Sequence, residues 1–228
     1  MKYRAGRASK PVMTRTFQAV IWDFGGVFTS SPFEAFNRYE AEKGLPTDFI
    51  RSVNAVNPLE NAWAKLERSL VGAEEFDGLF RAEAQSMGHD VPGKDILGLL
   101  SGHLRPRVVN ALKVCKGHGK VGCITNNAPI GKGASMTHDD EKAAQLAEVF
   151  AQFDHLIESS KLGIRKPDPR IYALMCEALD VDPKNCVYLD DLGINLKPAR
   201  EMGMATIKVT SEDQLLADLE AITGYAVR

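Results

Sequence analysis

The chain has 228 residues, of which 44% are hydrophobic and 25% charged, with a formal net charge of −2. That is globular composition with length for a core domain and one smaller insert, and it excludes a disordered chain. The longest apolar runs fall far short of the roughly 20 residues a spanning helix needs, and no apolar segment follows the basic start, so the expectation is a cytoplasmic protein with no membrane contact.

Residues 1–16 carry Lys2, Arg4, Arg7, Lys10 and Arg15 and no acid, leaving 23 basic and 30 acidic residues, net −7, in the rest. This predicts a solvated, partly disordered basic tail and argues against nucleic acid as a partner. Next comes an apolar run, Gln18-Ala19-Val20-Ile21-Trp22, that stops at Asp23 and turns on Gly25 and Gly26. A buried strand ending this way presents its carboxylate at the carboxyl edge of a sheet, where open α/β folds place their chemistry.

Residues 30–105 show no convincing strand. Ser31-Pro32-Phe33-Glu34 reads as a capping box with proline at the first helical position, and helices are predicted over 32–43, 47–55, 59–70, 73–87 and 92–101. An all-helical insert rooted after the first strand would sit over the sheet edge as a lid. Downstream the spacing predicts a helix over 107–115, a strand over 121–124 and another over 153–157. The Ile171, Leu174, Met175, Ala178, Leu179 stripe predicts a helix capped by Asp168 with Pro169 at its first position.

A strand over 186–189, a helix over 195–202 ending at Gly203, a strand over 205–209 and a last helix follow. That helix is capped by Ser211 with Gln214, carries Leu215, Leu216, Leu219 and Ile222, and stops at Gly224. Such βαβα repetition implies a mostly parallel sheet with helices on both faces. Cys115, Cys123, Cys176 and Cys186 are scattered without metal-ligand spacing and read as reduced thiols.

Three further segments carry candidate chemistry. Val121-Gly122-Cys123-Ile124-Thr125-Asn126-Asn127 ends a strand in a hydroxyl and two amides, suited either to an anionic oxygen or to a helix cap or Asx turn. In Leu162-Gly163-Ile164-Arg165-Lys166-Pro167-Asp168-Pro169 the prolines stiffen the backbone around Lys166. Val187-Tyr188-Leu189-Asp190-Asp191-Leu192-Gly193-Ile194-Asn195 ends a strand in adjacent acids, which suggests a hard divalent cation or, alternatively, a double-acid helix cap.

In the order Asp, Thr, Lys, Asp-Asp, these segments resemble the haloacid dehalogenase (HAD) superfamily, and Leu156 to Ser159, Lys166 to Tyr172 and Leu189 to Arg200 resemble the phosphatase-domain subgroup found at the amino terminus of soluble epoxide hydrolase. The resemblance implies a Rossmann-like parallel-sheet core, 17–29 and 106–228, with an inserted helical cap at 30–105. It also implies a Mg²⁺-dependent hydrolase acting on a small phosphorylated metabolite. Asp23 would be the nucleophile that forms an aspartyl phosphate and Lys166 the charge-neutralising partner. Thr125 and the amide of Asn126 would bind phosphoryl oxygens. Asp23, the Gly25 carbonyl and Asp191 would hold the metal, with Asp190 and Asn195 supporting them.

One position departs from the family pattern: Gly25 stands where its phosphatases usually carry the aspartate that protonates the leaving alcohol. General acid–base catalysis is worth roughly a hundred- to ten-thousand-fold, so a substitute is needed, and His89 or His103 is a candidate. The alternatives are a weakly active or inactive phospho-ligand-binding module and a 2-haloacid dehalogenase. The acid pair at Asp190 and Asp191 would repel a carboxylate substrate and argues against the second.

Overall fold

The computed structural model describes residues 16–228. The basic-tail expectation at 1–16 therefore falls, apart from Thr16, outside the described residues. In chain order the elements are β1 (Ala19–Trp22), α1 (Pro32–Lys43), α2 (Phe49–Ala55), α3 (Ala62–Glu67), α4 (Ala73–Ser86), α5 (Gly93–Gly98), α6 (Pro106–His118), β2 (Lys120–Thr125) and α7 (Asp140–Phe150). These are followed by β3 (His155–Glu158), α8 (Ser159–Leu162), α9 (Pro169–Leu179), β4 (Cys186–Asp190), α10 (Gly193–Glu201), β5 (Ala205–Lys208) and α11 (Glu212–Thr223).

The five strands form one sheet in the order β3-β2-β1-β4-β5, parallel throughout. The chain winds outward through β2 and β3, then crosses back over β1 to β4 and β5. Winding therefore reverses beside β1, and a crevice opens at the carboxyl ends there. Along each strand the side chains alternate between two apolar layers. Val20, Trp22, Val121, Cys123, Val187 and Leu189 pack with α6, α7 and α11 on one face. Ala19, Ile21, Ile124, Cys186 and Tyr188 pack with α9 and α10 on the other. Both faces are covered, which is why these strands read as continuous apolar runs rather than alternating ones.

Helices α1 to α5 build a separate apolar cluster around Phe36, Ile50, Leu66, Phe76, Phe80 and Ile96. Its two connections to the sheet are tied together. Thr29 bridges Leu104, the Ser30 N–H donates to the His103 carbonyl (2.8 Å) and the Arg105 N–H to the Phe28 carbonyl (2.7 Å). Gly102 permits this stem, because a Cβ there would lie 2.4 Å from the Ser30 carbonyl oxygen.

Local detail departs from the sequence expectations in several places, beyond element ends that shift by a few residues and the short α8, which was not expected. Helix α7 was not anticipated, although Asp139 caps it by accepting the Lys142 N–H and Leu146 and Val149 anchor it. Strand β3 starts two residues later than expected. The Ser31 hydroxyl accepts from the Phe33 N–H (3.4 Å) rather than closing a box with Glu34. At α11 Ser211 accepts the Gln214 N–H as expected, but the Gln214 side chain reaches the Thr210 N–H instead of that of Ser211.

Candidate active site

Register sets the site. Trp22 pairs with Cys123 on one side and Leu189 on the other, so the next residues, Asp23 and Asp190, emerge side by side from neighbouring strands. The Asp23 N–H extends the ladder by donating to the Leu189 carbonyl at 2.8 Å, which fixes the carboxylate just past the strand end. Its Oδ1 accepts from the Phe24 N–H (2.7 Å) and from Lys166 Nζ (2.6 Å).

Lys166 is 1% exposed, and its Nζ also lies 2.9 Å from Asp190 Oδ2, so one ammonium bridges two carboxylates. What aims it is the Asn126 side chain. Asn126 Oδ1 accepts the Lys166 N–H (2.9 Å) while Nδ2 donates to the Lys166 carbonyl (3.1 Å), an amide-to-amide clamp between the end of β2 and the loop before α9. The resemblance implies a phosphoryl contact for the Asn126 amide; the Asn126 side chain itself is committed to holding Lys166.

Asp190 is fully buried and saturated. Oδ2 accepts from Lys166 Nζ, Tyr188 OH (2.5 Å) and Asn195 Nδ2 (3.1 Å), and Oδ1 from the Leu192 N–H (2.8 Å) and Asn195 Nδ2 (3.0 Å). Tyr172 OH in turn donates to the Asn195 carbonyl (2.7 Å), and its ring meets that of Tyr188 edge-on. A carboxylate with five donor contacts has little left to give a metal. Tyr188 and Tyr172 were missed in the sequence, although Tyr188 stands two residues before Asp190 and so shares its face of β4.

Asp191 points to the other side of the same edge, against Gly26. A Cβ at Gly26 would lie 2.2 Å from Asp191 Oδ2, and Gly26 has φ +73°, so both space and conformation require glycine there. Arg105 Nη1 holds this turn by donating to the Gly26 (2.8 Å) and Val27 (3.3 Å) carbonyls.

The Asp23, Asp190 and Asp191 carboxylates offer oxygens that all lie within 4.8 Å of one another. Burial, then the charge of Asp190, pushes Asp23 well above the ordinary carboxylate range, and the same causes push Asp191 up to about 7, against the pull of Lys166. Burial alone would lower Lys166, but Asp190 and Asp23 outweigh it and hold the ammonium charged. Three acids thus share one close cation. A divalent ion would relieve the deficit, and since Asp190 is saturated, Asp23 and Asp191 are the carboxylates able to hold one. The residues fit such a metal.

Thr125 ends β2, is 4% exposed and faces the same space. Together Asp23, Thr125, Lys166 and Asp191 floor a cavity of about 320 Å³. Its upper wall is apolar and comes from the helical insert, with Phe33, Phe36, Leu59, Trp63 and Leu100. Leu59 (66% exposed) and Ile194 (61%) stand at the rim. Neither histidine offered as a substitute acid lines this cavity. His89 packs edge-on against Phe49 within the insert, and His103 borders a separate groove with Asp139 and Glu141. That expectation is corrected: the stem and the insert's own core take up those two positions.

Fold and site together define an α/β protein with a carboxylate–ammonium cluster at the switch point of a doubly wound sheet, the hydrolase class anticipated from the motifs. A family model for haloacid dehalogenase-like hydrolases matches residues 17–203, and the chain belongs to that family. It is 32% identical over 200 residues to the mouse bifunctional epoxide hydrolase 2, covering 83% of this chain but only 36% of that protein. It is 26% identical over 220 residues to the sesquiterpene phosphatase astK of Aspergillus oryzae, covering 93% of this chain and all of that protein. A HAD family enzyme of Bacteroides thetaiotaomicron, solved with magnesium and inorganic phosphate, superposes with a TM-score of 0.55 at 21% identity over 86% of this chain and 96% of that one. At that identity the likeness establishes the fold. Among the described residues no helix is long and apolar enough to cross a membrane.

Proposed function

We propose that the chain is a Mg²⁺-dependent phosphomonoesterase that works through an aspartyl phosphate on Asp23. The observation that carries this reading is the Asp23–Lys166–Asp190 bridge beside Asp191. A carboxylate attacks a phosphate dianion only when the charge repulsion between them is cancelled, and here an ammonium and a metal-competent acid pair lie against the nucleophile. Asp23, the Gly25 carbonyl and Asp191 would hold Mg²⁺, which when bound supplies positive charge to the phosphoryl oxygens.

In this reading Asp23 Oδ2 attacks phosphorus, the bond to the leaving alcohol breaks, and water later cleaves the acyl phosphate to restore Asp23. Lys166 stays protonated throughout and screens the attacking carboxylate. The Thr125 hydroxyl and the Asn126 N–H bind the transferring phosphoryl group, while Asp190 and Asn195 keep Lys166 and the turn after β4 in place. Residues 17–29 and 106–228 form the catalytic core and 30–105 the cap that receives the alcohol. Phe33, Phe36, Trp63 and Leu100 around that space favour an apolar leaving group over a polyhydroxylated one, in keeping with the name of the Aspergillus relative.

The test is phosphate release from p-nitrophenyl phosphate with and without Mg²⁺, for the native chain and for Asp23→Asn. Release that needs both metal and Asp23 supports the proposal; release untouched by the substitution defeats it. Gly25 supports a second reading, a phospho-ligand-binding module with little turnover, marked by metal-dependent phosphate binding without product.

A further inference from the structure

The carboxylic acid that position 25 does not supply can come from the insert. Among the described residues, the cavity wall carries one carboxyl besides Asp23 and Asp191, that of Glu67 at the end of α3, and no histidine or tyrosine. Glu67 is 6% exposed. Its Oε1 accepts from Trp63 Nε1 (2.9 Å), while Oε2 lies 2.6 Å from Arg165 Nε and 3.4 Å from Asn126 Nδ2. Trp63 and Arg165 also line the cavity, and Asn126 is the residue that clamps Lys166. The carboxyl is therefore held in the wall of the same cavity that Asp23 lines, on the insert that roofs it. Burial lifts its pKa more than Arg165, Trp63 and Lys166 pull it down, the balance suited to a group that must give up a proton and take it back.

Resting on the phosphomonoesterase reading, we infer that Glu67 is the general acid and base of this enzyme, delivered by the helical insert. In the first step Asp23 forms a bond to phosphorus, the bond from phosphorus to the substrate oxygen breaks, and the Glu67 proton passes to that oxygen to release a neutral alcohol. Arg165 and Trp63 stabilise the carboxylate left behind. In the second step this carboxylate takes a proton from the water that bonds to phosphorus, the acyl phosphate bond breaks, and Asp23 and protonated Glu67 are restored with inorganic phosphate as product. Because Glu67 rides on the insert, the acid is in place only when α3 is seated on the loops that carry Asn126 and Arg165. A further contact of the same seam, from Ser69 Oγ to the Ser160 carbonyl at 2.6 Å, holds it there.

The experiment compares rapid-quench rates of Asp23 phosphorylation in the native chain and in Glu67→Gln, using an alkyl phosphate and 2,4-dinitrophenyl phosphate, whose leaving group needs no proton. Expected is a fall of about a hundredfold or more for the alkyl ester and under about tenfold for the aryl ester, with slow turnover after an aryl burst. An equal fall for both esters would mean that Glu67 only secures the insert, and would overturn the inference. A structure of the native chain with an aluminium fluoride adduct on Asp23 decides independently of how the variant folds. A Glu67 oxygen within about 3.2 Å of the axial oxygen supports the role, and one with no path to it, direct or through one water, removes it. Native turnover that survives an unchanged leaving-group dependence in Glu67→Gln defeats this inference alone. Absence of any native phosphate release defeats the phosphomonoesterase reading, and this inference with it.

Discussion

The floor and the roof of the cavity are built on opposite rules. On the floor every charged group is tied to strand ends: Lys166 to two carboxylates and Asn126, Asp190 to five donor contacts, Asp191 to the bare Cα of Gly26. The roof is a set of short helices around its own apolar cluster, offering the cavity rings and aliphatic chains and, among the described residues, one carboxyl, that of Glu67. On the proposed mechanism the contrast separates labour: reactivity would be pre-organised by a rigid sheet edge, and selection and proton transfer left to a layer joined to it by one stem and a few polar contacts.

The sharpest way to break this division is to remove the proposed nucleophile from the floor. Asp23→Asn is expected to lower metal-dependent phosphate release by about 10⁴-fold or more. It also removes one of three crowded acids, so in metal-free buffer its melting temperature should equal or exceed that of the native chain. Loss of activity together with loss of fold would mean that Asp23 is a structural anchor. Lys166→Met is expected to do the reverse. It leaves two buried carboxylates without their ammonium and should cost about 3–5 kcal/mol in denaturant titrations as well as the activity. A variant as stable as the native chain would show that the bridge is not what secures the floor.

The two regions also differed in how far the sequence disclosed them. Asp23, Thr125, Lys166 and the Asp190-Asp191 pair each close a strand or precede a proline-capped helix, so local pattern pointed to them, and the parallel register brought them together. The supporting contacts did not show. Asn126 reads as an ordinary turn residue until its side chain is seen to grip a backbone 40 positions away. Glu67 reads as a solvated charge in a short helix, because its burial depends on Trp63 from its own helix and on Arg165 and Asn126 from two distant loops. Helix α7 is hard to read in the sequence because its single buried pair, Leu146 and Val149, gives little periodicity in a polar stretch. His89 and His103 failed for the converse reason: residue type suggested a role that their neighbours do not allow.

The charge deficit of the floor predicts a stability signature. Asp191 is held at about 7 in the folded chain, against an ordinary 3.8. Between these values the unfolded chain ionises while the folded one keeps its proton, so folding loses stability as pH rises across the window. Asp23 is shifted in the same direction. Metal-free protein should therefore melt lower at pH 8 than at pH 5, and Asp191→Asn should flatten the slope. Mg²⁺ at a hundred times its dissociation constant should restore about 2.7 kcal/mol at pH 8, an effect absent in Asp191→Asn. A native chain whose melting is indifferent to both pH and Mg²⁺ would show that the three acids make no cation site.

The smallest expected effect bears on the boundary between floor and roof. A Cβ added at Gly25 meets nothing within 4 Å, and its φ lies outside the left-handed range, so nothing in the packing obliges this residue to be glycine. Gly25→Asp should therefore fold as the native chain does and add a further acid to the floor, beside the turn whose carbonyl is assigned to the metal. If the roof already supplies the proton through Glu67, the gain on alkyl phosphates should be modest, about tenfold or less, whereas in a Glu67→Gln background the same substitution should recover most of the lost rate. A large gain in the native background would place the missing acid at position 25 and leave the roof with selection only. No recovery in the double variant would show that an acid on the floor cannot reach the leaving oxygen, so that proton delivery depends on the insert's position over the sheet.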